Sequence, residues 1–265
     1  MTENVEVYKI LEMEKFIIVA DDFGLSLNIN RGIEIGAGAG ALSFASLMVD
    51  EEFVTDAVKI AENNPGLTVG LHVSVSKLLN IDEDVWRGVR RKDLIKLISN
   101  RSLIKAVSND CQRQISKFFD LGFAPTFINT HFNHHILPPF FEDFADIAAA
   151  HNFKYIRFST KTPLLTHPDI PIEEKLPSMG KVLREKGIAF SDEYIAASFH
   201  FFPPELKHEF TEIMVHPTDA PDPKGGPNAM IYYLDLIKLL SWGDYYKYLG
   251  YEEGYEGLTS NGESK

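Results

Sequence analysis

Two adjacent carboxylates, Asp21 and Asp22, close the apolar run Phe16-Ile17-Ile18-Val19-Ala20 and lead through Phe23 into Gly24-Leu25-Ser26-Leu27. Further on, histidines recur at or near the ends of other apolar runs. His72 follows Gly70-Leu71, and His131, His134 and His135 follow Phe127-Ile128-Asn129-Thr130. His216 follows Ile213-Met214-Val215 and precedes Pro217, and Arg157 sits inside Tyr155-Ile156-Arg157-Phe158. One carboxylate and two imidazoles suffice for a three-ligand metal site that leaves positions open for water or substrate. On an extended strand neighbouring side chains diverge, so Asp21 and Asp22 must divide the work. One can hold a metal while the other meets substrate or water. The plainer alternative is that the pair only caps a helix.

Each of the other residues has a plain alternative too. A single histidine at a strand end is commonly structural. His134 and His135 are adjacent, so at most one of them faces a site, and His135 is placed with Asn133 in the substrate pocket. His151 and His167 read as solvated. Arg157 in an apolar run needs a partner, because an unpaired buried charge is costly. It is either half of a structural ion pair or a clamp on a site carboxylate.

These residues need a frame that gathers strand ends. Strands are expected at Phe16–Ala20, Leu42–Val49, Leu67–Val75, Thr126–Thr130, Lys154–Phe158 and Phe210–Val215. Helical patterns fall between them: a glycine-rich one over Asn28–Gly40, where close packing is expected, then Glu51–Asn63, about Arg91–Asp120, Phe140–Ala150 and Met230–Leu240. Thr160–Ser178 and Ala220–Asn228 read as proline-rich loops, and the chain after Gly250 as a frayed tail. Alternation of this kind builds a parallel sheet with crossover helices. No nucleotide-type glycine loop follows the first strand, so the expected fold is a single-domain α/β, (β/α) barrel-like structure, with a doubly wound open sheet second. In a barrel the C-terminal strand ends converge on one face. The domain is expected over residues 15–250, with extensions at 1–14 and 251–265.

Composition excludes several classes. The formal net charge is −12, from 38 acidic and 26 basic residues, with no basic stripe for nucleic acid. The single cysteine, Cys111, cannot form an internal disulfide and reads as a buried apolar residue. No apolar stretch reaches the ~18 residues of a membrane span, and no signal-peptide core opens the chain. The chain reads as soluble and cytoplasmic, with monomer and homodimer both open. Neither a Gly-x-Ser-x-Gly elbow nor a phosphate loop is present. Adjacent carboxylates cannot flank a glycosidic bond at the ~5–9 Å that glycoside hydrolysis needs.

Four segments together resemble the YdjC-like carbohydrate deacetylases. They are Val19-Ala20-Asp21-Asp22-Phe23-Gly24-Leu25-Ser26 with Asn30-Arg31-Gly32-Ile33 and Ala45-Ser46-Leu47-Met48-Val49, then Val69-Gly70-Leu71-His72, then Asn129-Thr130-His131-Phe132-Asn133-His134-His135-Ile136-Leu137-Pro138, and Glu212-Ile213-Met214-Val215-His216-Pro217. The resemblance implies a barrel-like, metal-dependent hydrolase that removes acetyl from N-acetylated sugars such as chito-oligosaccharides, in carbohydrate metabolism and polysaccharide degradation. A hopanoid-associated branch extends the substrate class to a sugar carried on a lipid. By the same resemblance Asp22, His72 and His131 hold a divalent ion, Mg2+ or Zn2+. Asp21 is then the base and His216 the acid or oxyanion partner. Arg157, read from its place inside an apolar strand, is expected to orient Asp21 or hold its charge. Two positions depart from the family pattern, which has Asp and His where this chain has Asn129 and Asn133. Asn129 is expected as a hydrogen-bond partner near His131, and Asn133 as a pocket residue that shifts substrate choice. A non-catalytic sugar-binding protein and a metal-dependent sugar isomerase or epimerase are the competing readings.

Overall fold

The computed structural model describes residues 16–79, 100–164, 172–206, 210–222 and 228–248. Its frame is a sheet of eight parallel strands: β1 Phe16–Phe23, β2 Phe44–Leu47, β3 Thr68–Val73, β4 Phe127–Thr130, β5 Tyr155–Ser159, β6 Ala189–Ser191, β7 Glu193–Ala196 and β8 Thr211–Val215. The order across the sheet is β6-β5-β4-β3-β2-β1-β8-β7. β1 lies between β2 and β8 and is buried along its whole length, as a parallel strand covered on both faces must be.

The two ends of that order, β6 and β7, are successive parts of one extended run divided only by Asp192. β6 pairs with β5 and β7 pairs with β8, so one bent strand spans the gap and nearly closes the barrel. Asp192 is fixed to both sides. Its carbonyl accepts from Ser159 Oγ at 2.6 Å, and its N–H donates to the Phe210 carbonyl at 2.8 Å.

The helices are α1 Leu27–Gly38, α2 Val54–Asn63, α3 Ser76–Leu79, α4 Arg101–Asp120, α5 Pro138–Ala150, α6 Leu176–Glu185 and α7 Ala229–Tyr248. Ser26 caps α1, its hydroxyl accepting from the Ile29 N–H at 3.2 Å. The expected close packing of this glycine-rich helix occurs at Gly32. A Cβ there would overlap the backbone of Pro217, the residue after His216. A bare helix surface at Gly32 therefore lets the His216 loop lie against α1.

Most element bounds differ from the sequence reading by only a few residues, while four elements, α3, β6, β7 and α6, are new. β6 and β7 are too short to give a hydrophobic period. α6 begins inside the stretch read as a loop, because Pro177 occupies the first turn of a helix, where its missing N–H costs nothing. α7 extends eight residues past Leu240. Residues 91–99, His167, His208, the two terminal extensions, and parts of the expected loops at 165–171 and 223–227 lie outside the described residues. Among the described residues, no helix is long and apolar enough to cross a membrane.

Candidate metal and catalytic site

The site begins with an irregularity in β1. The register with β2 shifts between Ala20 and Phe23, and Asp22 adopts a left-handed φ of 65°. Aspartate tolerates this region better than most residues do. A regular strand would send Asp21 and Asp22 to opposite faces. The bulged turn instead brings both carboxylates to the same end of the barrel.

Asp22 meets His72 from the end of β3 and His131 from the turn after β4. Its Oδ1 lies 3.2 Å from His72 Nε2 and 3.0 Å from His131 Nδ1, and the two imidazole nitrogens are 3.4 Å apart. One ligand atom from each of the three buried residues falls within 4.8 Å of the others. Asp22 Oδ1 is sealed from solvent and receives no well-formed hydrogen bond. Three lone-pair atoms facing one point, one of them an orphaned carboxylate oxygen, fit a divalent cation. Burial would raise the Asp22 carboxyl, but the close approach of His131, followed by His72, holds it well below the ordinary carboxylate range.

Asp21 belongs to a different set. Arg157 on β5 clamps it with two N–H groups, at 2.5 Å to Oδ2 and 2.8 Å to Oδ1, and Ser46 Oγ donates to Oδ1 at 2.7 Å. Burial alone would raise Asp21, yet the guanidinium, followed by His72, depresses it strongly. Arg157 Nε donates to Glu212 Oε1 on β8 at 2.5 Å, and Tyr155 Oη donates to Glu212 Oε2 at 2.6 Å. The Tyr194 ring lies 5.6 Å from the guanidinium carbon. Asp21, Arg157, Glu212 and Tyr155 thus form one buried chain across the barrel interior. Burial would lower the Arg157 pKa, but its two carboxylate partners raise it well above the ordinary value. Burial raises Glu212, only partly offset by Arg157.

His216 approaches from the opposite side, its Nε2 3.9 Å from Asp22 Oδ2. Its ring stacks on Tyr232 at 4.3 Å, and its N–H donates to the buried Asp235 at 3.2 Å. A cavity of about 590 Å³ opens over Asp21, His72, His131 and His216. Its walls are largely apolar, with Phe132, Leu164, Ile195, Phe199 and Tyr232 among them.

Asn133 lines the cavity as expected, though for a different reason. The segment His131–Ile136 is a three-ten turn rather than an extended run, with left-handed φ values of 60° at Phe132 and 55° at Asn133. Asn133 Nδ2 donates to the Leu164 carbonyl at 3.3 Å. His135, expected in the pocket, is behind it. It is fully buried, 2.9 Å from Thr130 Oγ1 and 2.6 Å from the Arg157 carbonyl. Burial pushes its pKa down to about 3, so it is a neutral strut. Asn129, expected beside His131, instead lies 2.6 Å from His72 Nδ1, because β3–β4 register pairs those two residues. His151 is half-buried at the end of α5, and His200 is on the cavity wall.

Glu212 and Ser46 were legible only as parts of motifs, while Tyr155 and Tyr194 carried no chemical signal in the sequence. Each faces the site from another strand, which only the barrel closure fixes.

The model of the YdjC-like protein family matches residues 15–237. The chain belongs to this family. Among curated relatives, a carbohydrate deacetylase of Clostridium beijerinckii is 31% identical over 142 residues, covering 52% of this chain and 58% of that protein. A chitooligosaccharide deacetylase of Escherichia fergusonii is 32% identical over 143 residues, covering 52% and 57%. The chain therefore spans a little over half the length of the curated relatives it matches. A crystal structure from Enterococcus faecalis, described as that of a candidate cellobiose-phosphate cleavage protein, superposes with a TM-score of 0.68 at 17% identity. It covers 93% of this chain and 99% of that one, which places the whole barrel in a known fold.

Proposed function

We propose that this YdjC-like chain is a metal-dependent amide hydrolase that removes acetyl from an acetamido sugar, with residues 15–250 as the working domain. The observation that carries the reading is the convergence of Asp22, His72 and His131 beside a separately clamped Asp21, with Asp21, His72 and His131 lining one cavity. The deacetylase names of the two relatives support the reaction class. Two imidazole nitrogens and one carboxylate suit zinc better than magnesium, which prefers oxygen ligands. A divalent ion at this triad supplies Lewis-acid polarisation of the acetyl carbonyl and makes a neighbouring water more acidic.

The remaining steps belong to the chain. Asp21 is ionised at every ordinary pH, so it is always free to accept a proton. The Arg157 clamp also makes it a weak base, suited to a water already made acidic. Arg157, fixed by Glu212, keeps both Asp21 oxygens in place. His216, on the far side of Asp22, donates a proton to the departing amine. Asn133 meets sugar hydroxyls from the wall, with an amide that both donates and accepts.

The apolar walls support a sugar carried on an apolar group over a free chito-oligosaccharide. Phe199 on the cavity wall is 82% exposed, and Phe201 and Phe202 beyond it are 85% and 82% exposed. Acetate release from an alkyl N-acetylglucosaminide and from chitobiose, each with and without chelator, tests the proposal. Chelator-sensitive acetate release is expected, faster from the alkyl glycoside. Sugar binding without turnover would favour a binding protein, and turnover without acetate an isomerase or epimerase.

A further inference from the structure

We infer that Asn129 is a switch for the His72 tautomer, and that its amide turns over when the site takes up a metal. The inference rests on the reading of Asp22, His72 and His131 as ligands. Asn129 is fully buried on β4 between two groups with incompatible demands. One end of its amide lies 2.6 Å from His72 Nδ1. The other faces Arg157, whose two terminal nitrogens are each 3.1 Å away.

An amide has one oxygen and one NH2, and which end is which is decided by the partners. With the oxygen toward Arg157, Asn129 accepts two charge-assisted bonds and its NH2 donates to His72 Nδ1. His72 then carries its proton on Nε2, 3.2 Å from Asp22 Oδ1. That tautomer leaves no lone pair on Nε2 for a metal. With the oxygen toward His72, Asn129 accepts from Nδ1–H and frees Nε2 to ligate. Its NH2 now faces the guanidinium, with only longer contacts to Asp21 Oδ1 at 3.3 Å and Ser46 Oγ at 3.4 Å.

The first arrangement makes the shorter, charge-assisted bonds and belongs to the metal-free protein. Ligation by Nε2 demands the second. Metal uptake therefore includes a half-turn of a buried amide and the loss of its two bonds from Arg157. The guanidinium is left to Asp21 and Glu212 alone, so occupancy of the triad is felt at the clamp on Asp21. A carboxylate at position 129 would accept from both neighbours at once and need no turn.

Nitrogen NMR of the imidazoles at about pH 8, where an ordinary histidine is neutral, reads the tautomer directly. Metal-free wild-type protein should show His72 protonated on Nε2, and zinc-loaded protein on Nδ1. Asn129→Asp should be protonated on Nδ1 before any metal is added. In calorimetry it should bind zinc about 10–100-fold more tightly than wild type, the usual reach of a residue that orients a ligand. An Nδ1 proton in the metal-free wild type would overturn the inference, as would equal or weaker zinc binding by Asn129→Asp. If neither protein takes up zinc, the metal reading falls and the switch with it. The metal-free wild-type spectrum tells that failure from a failure of the amide argument.

Discussion

The two carboxylates of β1 are neighbours in sequence and opposites in their surroundings. Asp22 faces two imidazoles across a point that no protein atom fills, and one of its oxygens accepts no well-formed hydrogen bond. Asp21 is saturated: Arg157 holds both its oxygens, and Arg157 is in turn held by Glu212. A set with unsatisfied acceptors is built to receive a cation, and a closed set is built to stay as it is. The bulge at Asp22 lets one strand end supply both.

The sharpest way to break that contrast is to remove a ligand. His72→Ala and His131→Ala should lose the metal, and activity should fall on the order of 10⁴-fold with the carbonyl stabilisation it supplies. Full metal occupancy in either variant, measured by elemental analysis, would sink the ligand assignment. Asp21→Asn should behave otherwise, keeping its metal while kcat drops by about 10²–10⁴-fold. Rescue of that variant by excess metal would mean the two aspartates have been given each other's roles.

Arg157→Met tests the closed set as structure. It leaves two buried carboxylates without their cation, and a broken buried pair costs about 3–5 kcal/mol. Denaturant unfolding should show a loss of that size, and a loss below about 1 kcal/mol would mean that the chain of charges is not the strut described. Replacing His216 by Ala should have a smaller effect: metal retained and kcat lower by about 10²-fold. An unchanged kcat would leave His216 as a structural residue before Pro217.

At neutral pH the smallest effect is expected from His135, which belongs to neither set. Its folded pKa lies at about 3, below the unfolded value of 6.5. Between those values the unfolded chain binds a proton that the native protein refuses. Stability should therefore fall as pH drops below about 6.5, by up to ~1.4 kcal/mol per unit, and level off near the folded value. Asp21 and Asp22, depressed below 3.8, add their own loss only at still lower pH. His135→Gln should flatten the upper part of that slope in denaturation series at several pH values. A slope as steep as the wild type's would move its cause elsewhere.

Long apolar runs such as Phe16–Ala20 announced their strands because a strand buried on both faces has to be apolar throughout. The ends of those strands announced the chemistry, since polar residues there face the open end of a barrel. What stayed hidden depended on pairing across space. Asn129 was placed beside its sequence neighbour His131, whereas its true partner His72 is set by strand register. Arg157 plainly needed a counter-charge, but that Glu212 shares it with Asp21 follows only from closure of the ring. Strand alternation set Asp21 against Asp22 until a left-handed residue removed the conflict.

The strand bent at Asp192 has one more consequence. The proposed metal ligands hang from β1, β3 and the end of β4, while the bent strand lies at the far side of the ring and contributes Glu193, Tyr194 and Ile195 to the cavity wall. The proposed ion-holding residues and one stretch of the chamber wall therefore sit on separate arcs of one hoop. Substitutions along Glu193–Ala196 can widen, narrow or recharge the chamber while the arc of Asp22, His72 and His131 keeps its shape. A lineage could change its diet by editing a single short strand.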